Sequence, residues 1–321
     1  MFSKRGIQDV PNNRSLHSEI TKKSGGMVFV PLFLALLIFW TLPSESRILS
    51  ILYGCLFFGI LGFIDDIYHL SPNVRLFLEF CFSFVWTYFF SPSIVLFGFP
   101  ISNLWISTFI VGFLLVFVVN LVNFMDGLDF YLIGTFQISV LFWIPIFSLE
   151  FLPGKEGFLV ILLLLVSLSG FAFFNFPKAK LFMGDSGSLA MGFLFICLPL
   201  VYSSSNSSSF ELTRLFFLFP VFWIDGILTI IIRAFQKQHI LSAHRQHLYQ
   251  LLTETKLGKP GTCLVVILSN APALLFLAFP SFFFPSVKIT YEETLVSSVF
   301  AYIFLYTVIR TILFQKRKNL A

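Results

Sequence analysis

The chain has 321 residues, of which 57% are hydrophobic and only 12% are charged, and its formal net charge is +5. Soluble domains carry about 25% charged residues, so the composition excludes a soluble domain and predicts an integral membrane protein with no nucleic-acid partner. The four cysteines lie in or at the edges of apolar runs without metal-type spacing, which indicates inert thiols rather than a metal site.

Apolar runs long enough to cross a bilayer follow one another along the chain. A transmembrane helix needs about 20 apolar residues, and turn-forming sequences such as Pro43-Ser44 and Pro153-Gly154 separate the runs. The predicted fold class is therefore all-α, a polytopic membrane protein with about ten transmembrane helices. The ten predicted spans are residues 27–43, 47–64, 74–90, 103–124, 130–149, 157–175, 188–204, 214–233, 261–284 and 293–314.

Basic residues are distributed unevenly between the two sides of the predicted bundle. The N-terminal segment 1–26, the loop 234–260 and the tail 315–321 fall on one side, and all three are rich in lysine and arginine. Positively charged loops stay in the cytosol, so both termini are predicted to be cytosolic and to flank a transmembrane domain at 27–314. All five histidines and every aspartate except Asp225 fall on the same side, which favours a cytosolic active site.

An aspartate pair, Asp65-Asp66, stands where the second apolar run ends. The bilayer disfavours carboxylates there, and so does the negative C-terminal end of a helix dipole. A divalent cation with a phosphate substrate would offset this cost. Neighbours on a helix do not share a face, so one aspartate would hold the metal while the other binds a second ligand or acts as a base. The alternative is a helix end solvated by water.

A polar stripe with a step of three residues closes the fourth run, and it consists of Asn120, Asn123, Asp126 and Asp129. Residues three apart are neighbours on a helix, and unpaired amides are costly in an apolar run. Amides and carboxylates so arranged suit a nucleobase and a ribose. The alternative is hydrogen bonding between membrane helices.

The sequence FMGDSGS, from Phe182 to Ser188, precedes the seventh run. Its glycines permit a tight turn, and its serines can cap the following helix. Asp185 can complete a metal site with the aspartate pair, and the backbone N–H groups of the helix start would suit a phosphate. The alternative is a simple helix cap.

Two histidines and an arginine occur together in the loop 234–260, as His244-Arg245-Gln-His247. A guanidinium forms bidentate bonds to phosphate, so the group suits a pyrophosphate, or alternatively anionic lipid headgroups. Asp225 lies alone within the eighth span, and an acid inside a membrane is a functional candidate by default. A structural or supporting role is the favoured interpretation for Asp225.

Together and in this order, the aspartate pair, NxxNxxDGLD, FMGDSGS and HRQHLYQ resemble the motifs of the polyprenyl-phosphate N-acetylhexosamine-1-phosphate transferases, bacterial glycosyltransferase family 4. That family includes O-antigen-initiating enzymes and the phospho-MurNAc-pentapeptide translocase. The resemblance extends from Pro11 to about Leu252 and looks like the O-antigen-initiating type. It implies transfer of a HexNAc 1-phosphate from a UDP-HexNAc to undecaprenyl phosphate, with UMP as the second product.

The resemblance also implies a cofactor, a location and roles for residues. The cofactor is Mg²⁺, with Mn²⁺ as the alternative ion, held by Asp185 and Asp66. The implied catalytic residues are Asp65, Asp66, Asp185 and His247. The implied substrate-binding residues are Asn120, Asn123, Asp126, Asp129, Phe182, His244, Arg245 and His247. The expected location is the bacterial inner membrane among its lipids, with the active site facing the cytosol and a homodimer as one expected assembly.

Three features depart from the family pattern. Many relatives have one more span ahead of the first cytosolic loop, and the usual TPRGGG of that loop reads TKKSGG, from Thr21 to Gly26. Phe130 replaces the glycine that closes DGLDG.

The rival interpretation is a multi-span transporter or lipid flippase that uses the acids as ion sites. Transporters place such sites near the midplane of the bilayer, where only Asp225 is predicted to lie.

Overall fold

The structure, a computed structural model, describes residues 7–11, 16, 18–41, 45–90, 93–143, 152–203, 210–239, 244–278 and 290–318. The described chain is mainly helical and divides into two compact units. The first unit comprises Met1–Val10, Glu19–Asp126 and Trp143–Leu215. The second unit comprises Pro11–Ser18, Gly127–Phe142 and Phe216–Ala321.

Twelve α-helices lie within the described ranges, together with one 3₁₀ helix at Leu212–Leu218. The α-helices are α1 (Gly26–Trp40), α2 (Ser46–Tyr68), α3 (Pro72–Phe90), α4 (Leu104–Met125), α5 (Tyr131–Val140), α6 (Glu156–Asn175), α7 (Gly184–Ser203), α8 (Pro220–Phe235), α9 (Leu248–Thr253), α10 (Gly258–Leu268), α11 (Ala271–Ala278) and α12 (Tyr291–Lys318).

The structure confirms a mainly helical fold, and two small β-sheets in the first unit are an addition that the sequence analysis did not predict. The strands are β1 (Gln8–Asp9), β2 (Thr21–Lys23), β3 (Ile94–Leu96), β4 (Phe99–Ile101), β5 (Leu181–Phe182) and β6 (Phe210–Glu211). In the first sheet β2 lies between β1 and β5, and in the second β3 lies between β4 and β6. Strands of two or three residues are too short to produce an alternating apolar pattern, which is why the sequence did not predict them.

Glycines allow the helices of the first unit to pack closely around α7. Helix α7 packs on α2, α4 and α1, and its residues from Leu189 to Leu200 are buried. A Cβ atom on Gly62 of α2 would lie 2.2 Å from the carbonyl oxygen of Asp185, and one on Gly54 would collide with the ring of Phe193. Backbone contact therefore fixes the position of the start of α7 against α2.

The second unit is built from α5 and the helices after the 3₁₀ segment. Helix α8 packs on α12, α9 packs on both α10 and α12, and α10 packs on α5. Pro220 opens α8, where its missing N–H costs nothing. The side chain of Asn270 accepts a hydrogen bond from the backbone N–H of Val221 at 3.2 Å, which ties the α10–α11 junction to the start of α8.

Five described helices are long and apolar enough to cross a membrane, or six if the 3₁₀ helix and α8 form one bent span. The five are α2, α4, α6, α7 and α12, and each coincides with a predicted span. Helix α5 has 10 residues, α1 has 15, and the predicted span 261–284 begins as two shorter helices. Residues 42–43, 144–149, 204 and 279–284 of the predicted spans lie outside the described residues, so the count of ten and the orientation stay predictions.

Candidate active site

Asp66 connects the end of α2 to the start of α7. Its Oδ1 accepts a hydrogen bond from the backbone N–H of Asp185, and its Oδ2 accepts one from that of Ser186, both at 3.1 Å. The Nζ of Lys23 lies 3.4 Å from Oδ1. A helix N-terminus favours a carboxylate because its first N–H groups lack partners and the dipole is positive there. The expectation that these N–H groups suit a phosphate is corrected, since Asp66 already occupies two of them.

Asp185 lies beside Asp66 and keeps one oxygen open. Its Oδ1 accepts a hydrogen bond from the side-chain amide of Asn123 at 2.8 Å, and the same amide contacts the Oγ of Ser188 at 2.8 Å. No described residue donates a hydrogen bond to Oδ2 of Asp185. The two carboxylates are close enough to repel each other electrostatically, so a cation would be attracted to the pair.

The N-terminal polar segment forms part of this site. Strand β2 runs parallel to β5, with Lys23 opposite Phe182. The backbone N–H groups of Gly25 and Gly26 then donate to the carbonyls of Phe182 and Met183, at 2.9 and 2.7 Å. The segment TKKSGG, despite its departure from the family pattern, is therefore bound along the FMGDSGS motif and presents Lys23 to Asp66.

Two glycines are required around the acidic pair, Gly184 in the turn before Asp185 and Gly26 at the start of α1. Gly184 has a φ of 75°, and a Cβ atom there would lie 2.8 Å from Oδ2 of Asp66. A Cβ atom on Gly26 would lie 2.2 Å from the backbone nitrogen of Gly187. These contacts leave no room for larger residues around the Asp66–Asp185 pair.

Asp65 points into a separate network of buried charges. Its Oδ1 accepts a hydrogen bond from the N–H of Leu70, and its Oδ2 accepts one from Nη1 of Arg75, both at 2.8 Å. The Nε of Arg75 lies 3.5 Å from Oε1 of Glu79, which is fully buried. The cost predicted for the aspartate pair is thus offset by protein groups, namely Arg75 for Asp65 and the start of α7 for Asp66.

Asn120 completes the Asp65 network. Its Oδ1 accepts a hydrogen bond from Nη2 of Arg75 at 3.2 Å, while its amide nitrogen donates to Glu79 and to the carbonyl of Val116. A substrate contact would have to replace one of these bonds. The structure thus shows the interhelical hydrogen bonding that was the alternative interpretation, and substrate binding by Asn120 stays a prediction.

The polar stripe does not continue as a helix beyond Asn123. Helix α4 ends at Met125, and Asp126 is its C-cap residue. Asp126 belongs to the first unit and Asp129 to the second, and both are partly exposed. Phe130 has a φ of 63°, a left-handed conformation that suits the glycine of the family pattern and costs a bulky residue about 1–2 kcal/mol.

A magnesium ion fits the first unit, but not as a ready-made protein cage. Among the described residues, no three histidine, cysteine, aspartate or glutamate side chains are grouped to hold a metal ion. Mg²⁺ commonly binds through one or two carboxylates, and water and substrate phosphates complete its shell. Asp185, with its open Oδ2, and the adjacent Asp66 match that pattern, whereas Asp65 is bound to Arg75.

In the second unit, the histidine loop (His244 to His247) lies beside Asp225. His247 is the N-cap of α9, and its backbone N–H donates to the side chain of Gln250 at 3.2 Å. The carboxylate of Asp225, in α8, accepts hydrogen bonds from the N–H groups of Leu248 at 2.8 Å and Tyr249 at 3.3 Å. The Nδ1 of His247 lies 3.5 Å from Oδ1 of Asp225. The supporting role expected for Asp225 therefore consists of holding the start of α9.

His244 is neutral at physiological pH. Partial burial lowers the pKa of its imidazole to about 4, and the charges of His247, Arg233 and Arg310 contribute to the lowering against the opposing effect of Asp225. Its ring lies 4.8 Å from that of His247. Arg245, between them, is partly exposed, so this guanidinium is the permanent positive charge of the predicted triplet.

Several charged residues that contact the predicted site residues were missed by the sequence analysis. They are Lys23, Arg75 and Glu79 in the first unit and Arg310 in the second. Arg75 and Glu79 are four residues apart within an apolar run, which is a spacing typical of a helical ion pair and could have revealed them. Nothing in the sequence alone connects Lys23 to Asp66 or Arg310 to the histidine loop.

Comparison with known proteins agrees with the motifs. The sequence profile of "Glycosyl transferase family 4" matches residues 48–203, which include Asp65, Asp66, Asn123 and Asp185. The chain is 29% identical over 281 residues to the "Probable undecaprenyl-phosphate N-acetylglucosaminyl 1-phosphate transferase" of Bacillus subtilis, an alignment that covers 83% of this chain and 75% of that protein.

Two further relatives carry the name phospho-N-acetylmuramoyl-pentapeptide-transferase. The protein from Streptococcus gordonii is 33% identical over 171 residues, which cover 49% of this chain and 51% of the relative. The protein from Kosmotoga olearia is 28% identical over 230 residues, which cover 66% of this chain and 67% of the relative. The chain thus aligns with about half the length of the streptococcal relative. With these matches, residues 48–203 form a glycosyl transferase family 4 domain, and the chain is similar over most of its length to a transferase of this kind.

Proposed function

We propose that this protein transfers a HexNAc 1-phosphate from a UDP-HexNAc to undecaprenyl phosphate. The observation that carries the proposal is the convergence of Asp66, Asp185 and Asn123 at the start of α7. These residues come from separate helices of a chain whose relatives are named as transferases of this kind. Paired carboxylates beside a lysine suit the handling of a diphosphate with a divalent cation.

The proposed reaction is a displacement at phosphorus. A phosphate oxygen of undecaprenyl phosphate attacks the β-phosphorus of the UDP-sugar, and the bond from that phosphorus to the oxygen bridging to the α-phosphate breaks. UMP departs with that oxygen, and undecaprenyl-diphospho-HexNAc forms. Mg²⁺, or Mn²⁺ in its place, would be held by Asp185 and Asp66 and would neutralise the diphosphate and the leaving UMP.

The side chains of the first unit have distinct proposed tasks. Asn123 orients Asp185 through its 2.8 Å hydrogen bond and lies at the end of a helix whose C-cap is Asp126, so both are proposed to face the nucleotide. Lys23 adds positive charge beside Asp66. Asn120 and Phe182 of this unit, and Asp129 of the second unit, stay proposed contacts of the uridine.

Asp65 and the histidine loop have proposed roles of their own. Asp65 is proposed to act beside the lipid phosphate, with its carboxylate oriented by Arg75. In the second unit, His244, Arg245 and His247 are proposed to bind the diphosphate and the sugar. A guanidinium and two imidazoles provide hydrogen-bond donors for phosphate oxygens.

The proposed location is the bacterial inner membrane, with the active site facing the cytosol. The support is the concentration of basic residues in the N-terminal segment, the loop 234–260 and the tail, because cytosolic loops are enriched in lysine and arginine. The proposed place in metabolism is the first membrane step of O-antigen or other cell-envelope polysaccharide synthesis. A homodimer stays a prediction.

The test is UMP release by the purified protein in detergent, with undecaprenyl phosphate and a panel of UDP-HexNAc donors. The panel includes UDP-GlcNAc, UDP-QuiNAc and UDP-FucNAc, and each reaction is run with Mg²⁺, with Mn²⁺ and with a chelator. We expect one donor to give equal amounts of UMP and lipid-linked diphospho-sugar, and the chelator to abolish both products. Absence of both products with every donor and metal would overturn the proposal.

The transporter interpretation loses its main support in the structure. Asp225 was the one acid predicted within a span that matched a midplane ion site. Its carboxylate instead accepts hydrogen bonds from the N–H groups of Leu248 and Tyr249 and from the hydroxyl of Thr229. An ion at Asp225 would have to compete with these donors.

A further inference from the structure

We propose that Asp225 is a positioning residue for His247 and that Arg310 holds the chain before His247 in place beside Asp225. The inference rests on the proposed function, because it assumes that His247 acts in the transfer reaction. It assigns a task to a buried acid that lies outside the four sequence motifs.

The contacts of Asp225 converge on the residues that carry His247. The carboxylate accepts two backbone hydrogen bonds from the start of α9, and it is 1% exposed. It also faces Nδ1 of His247 at 3.5 Å, and this nitrogen has no hydrogen-bond partner among the described residues. Asp225 therefore holds the start of α9 through the N–H groups of Leu248 and Tyr249 and places its carboxylate beside the ring of His247.

A second group of contacts holds the loop from α12. The Nη1 of Arg310 donates to the carbonyl of Gln246, the residue before His247, at 2.8 Å. Arg310 also contacts the hydroxyls of Tyr306 and Thr229. Thr229 in turn donates to Oδ1 of Asp225 at 3.1 Å. Asp225 and Arg310 are thus joined through Thr229 in one buried network behind the loop.

The presence of a carboxylate in this network, rather than a neutral side chain, indicates that the negative charge interacts with the imidazole of His247. A helix of six residues can be capped by serine or asparagine at no cost of buried charge, whereas a buried aspartate and arginine carry a large desolvation penalty. What the carboxylate adds is a negative charge beside Nδ1. A negative charge at Asp225 favours a proton on Nδ1 of His247, which would leave Nε2 as the nitrogen that faces a substrate, as in other carboxylate–histidine pairs.

A double-mutant cycle separates positioning from simple stabilisation. The variants are Asp225→Asn, His247→Ala and the double variant, and the readout is kcat and KM for UMP release by the full-length protein. We expect Asp225→Asn to lower kcat about 10- to 100-fold, the usual loss when an outer partner of a functional histidine is removed. In the His247→Ala background the same change should alter kcat by no more than about twofold, because Asp225 then has no imidazole to position. Independent effects would instead be additive, and the loss would be the same in both backgrounds.

Two further variants distinguish a loss of positioning from a general loss of folded protein. Thr229→Val keeps the shape of the residue and the carboxylate but removes one hydrogen bond to Asp225, so a smaller loss of kcat is expected, again only when His247 is present. Tyr302→Phe is the matched control, because the Tyr302 hydroxyl donates to the carbonyl of Ser269 and takes no part in the described hydrogen bonds of Asp225 and Arg310. Its effect should be the same in both backgrounds.

The outcomes distinguish this inference from the proposed function. If Asp225→Asn and Thr229→Val lower kcat by the same factors with and without His247, Asp225 is a structural residue and the inference is overturned, while the proposed transfer reaction stands. If His247→Ala itself leaves turnover unchanged, the inference falls together with the proposed role of the loop. Loss of transfer by wild-type protein with every donor would instead overturn the proposed function.

Discussion

Asp66 lies at the C-terminal end of α2, where the dipole of its own helix disfavours a negative charge. The same side chain reaches the N-terminal end of α7, where two backbone N–H groups donate to its oxygens. The unfavourable position in one helix is thus compensated by a favourable position at the next. The arrangement places the carboxylate of Asp66 against Asp185, so the residue both connects two helices and contributes charge to the candidate site.

Arg75 is the residue on which two buried acids depend. It lies 2.8 Å from Asp65 and 3.5 Å from Glu79, so its loss would leave both carboxylates buried and unpaired. We expect Arg75→Ala to destabilise the protein by about 3 kcal/mol or more, measured as a lower midpoint of thermal unfolding in detergent. Adding Glu79→Gln should restore part of the loss, because the glutamine side chain is neutral and its oxygen can still accept a hydrogen bond from Asn120.

The control for the Arg75 variants is Lys178→Ala, which removes an exposed ion pair with Glu19. Water screens an exposed ion pair, which therefore contributes little to stability, so the midpoint of Lys178→Ala should remain close to that of the wild type. A midpoint of Arg75→Ala equal to that of Lys178→Ala would contradict the buried network.

The low pKa of His244 predicts a pH-dependent stability. The pKa of His244 is about 4 in the folded protein and 6.5 for the ordinary imidazole, so between these values the unfolded chain binds more protons than the folded one. Stability then rises with pH through this window and falls on acidification. We expect the unfolding midpoint of the wild type to drop more than that of His244→Asn when the pH is lowered from about 7 to about 5. Parallel pH curves for the two proteins would show that His244 is not buried as described.

At the scale of elements, the approach of α2 to α7 sets the geometry of the acidic pair. Gly62 of α2 touches the carbonyl of Asp185, and Asp66 follows one turn later on the same helix. A side chain at position 62 would push the two helices apart at the point where the carboxylates meet their N–H donors. Glycine at this position therefore has a packing role that the motifs did not reveal.

Gly62→Ala should lower both stability and transfer. The added Cβ would lie 2.2 Å from the carbonyl oxygen of Asp185, and relief of such overpacking costs about 1–3 kcal/mol. The measurements are the thermal midpoint in detergent and the rate of UMP release. Gly170→Ala is the control, because no described atom outside its own stretch of helix would lie within 4 Å of a Cβ atom there. If the two alanine variants behave alike, the described contact between α2 and α7 is wrong.

The predicted elements were most accurate where the apolar run is long and uninterrupted. Spans 47–64 and 103–124 correspond to α2 and α4 within a few residues. The predicted span 214–233 is interrupted at Phe219, whose φ of −154° and ψ of 67° lie outside the helical region. A residue before proline is disfavoured in the α conformation, so Pro220 was a readable sign of this break.

At the scale of the whole chain, the sequence motifs identified the groups that carry charge but not the groups that hold them. Asp66 and Asp185 were predicted to share a metal site and Asn123 to bind the nucleotide, and the structure brings the three residues into contact in the first unit. Lys23, which pairs with Asp66, lies in strand β2, and Arg75, which pairs with Asp65, lies in the first turn of α3. The sequence alone does not show these pairings, because they depend on how β2 and α3 pack against the end of α2. Short strands such as β2 and β5 carry no periodicity, so the docking of the N-terminal segment was not predictable either.

Asp185 is the central residue of the proposed reaction, and the decisive measurement is the turnover of purified Asp185→Asn protein with undecaprenyl phosphate, UDP-HexNAc and Mg²⁺. The substitution preserves the size of the side chain and removes the charge. The matched control is Glu19→Gln, which removes a carboxylate that is 70% exposed. We predict that UMP release falls about 100-fold or more in Asp185→Asn and stays near the wild-type rate in Glu19→Gln. Turnover of Asp185→Asn close to that of the wild type would contradict the assignment of the acidic pair as the centre of the reaction.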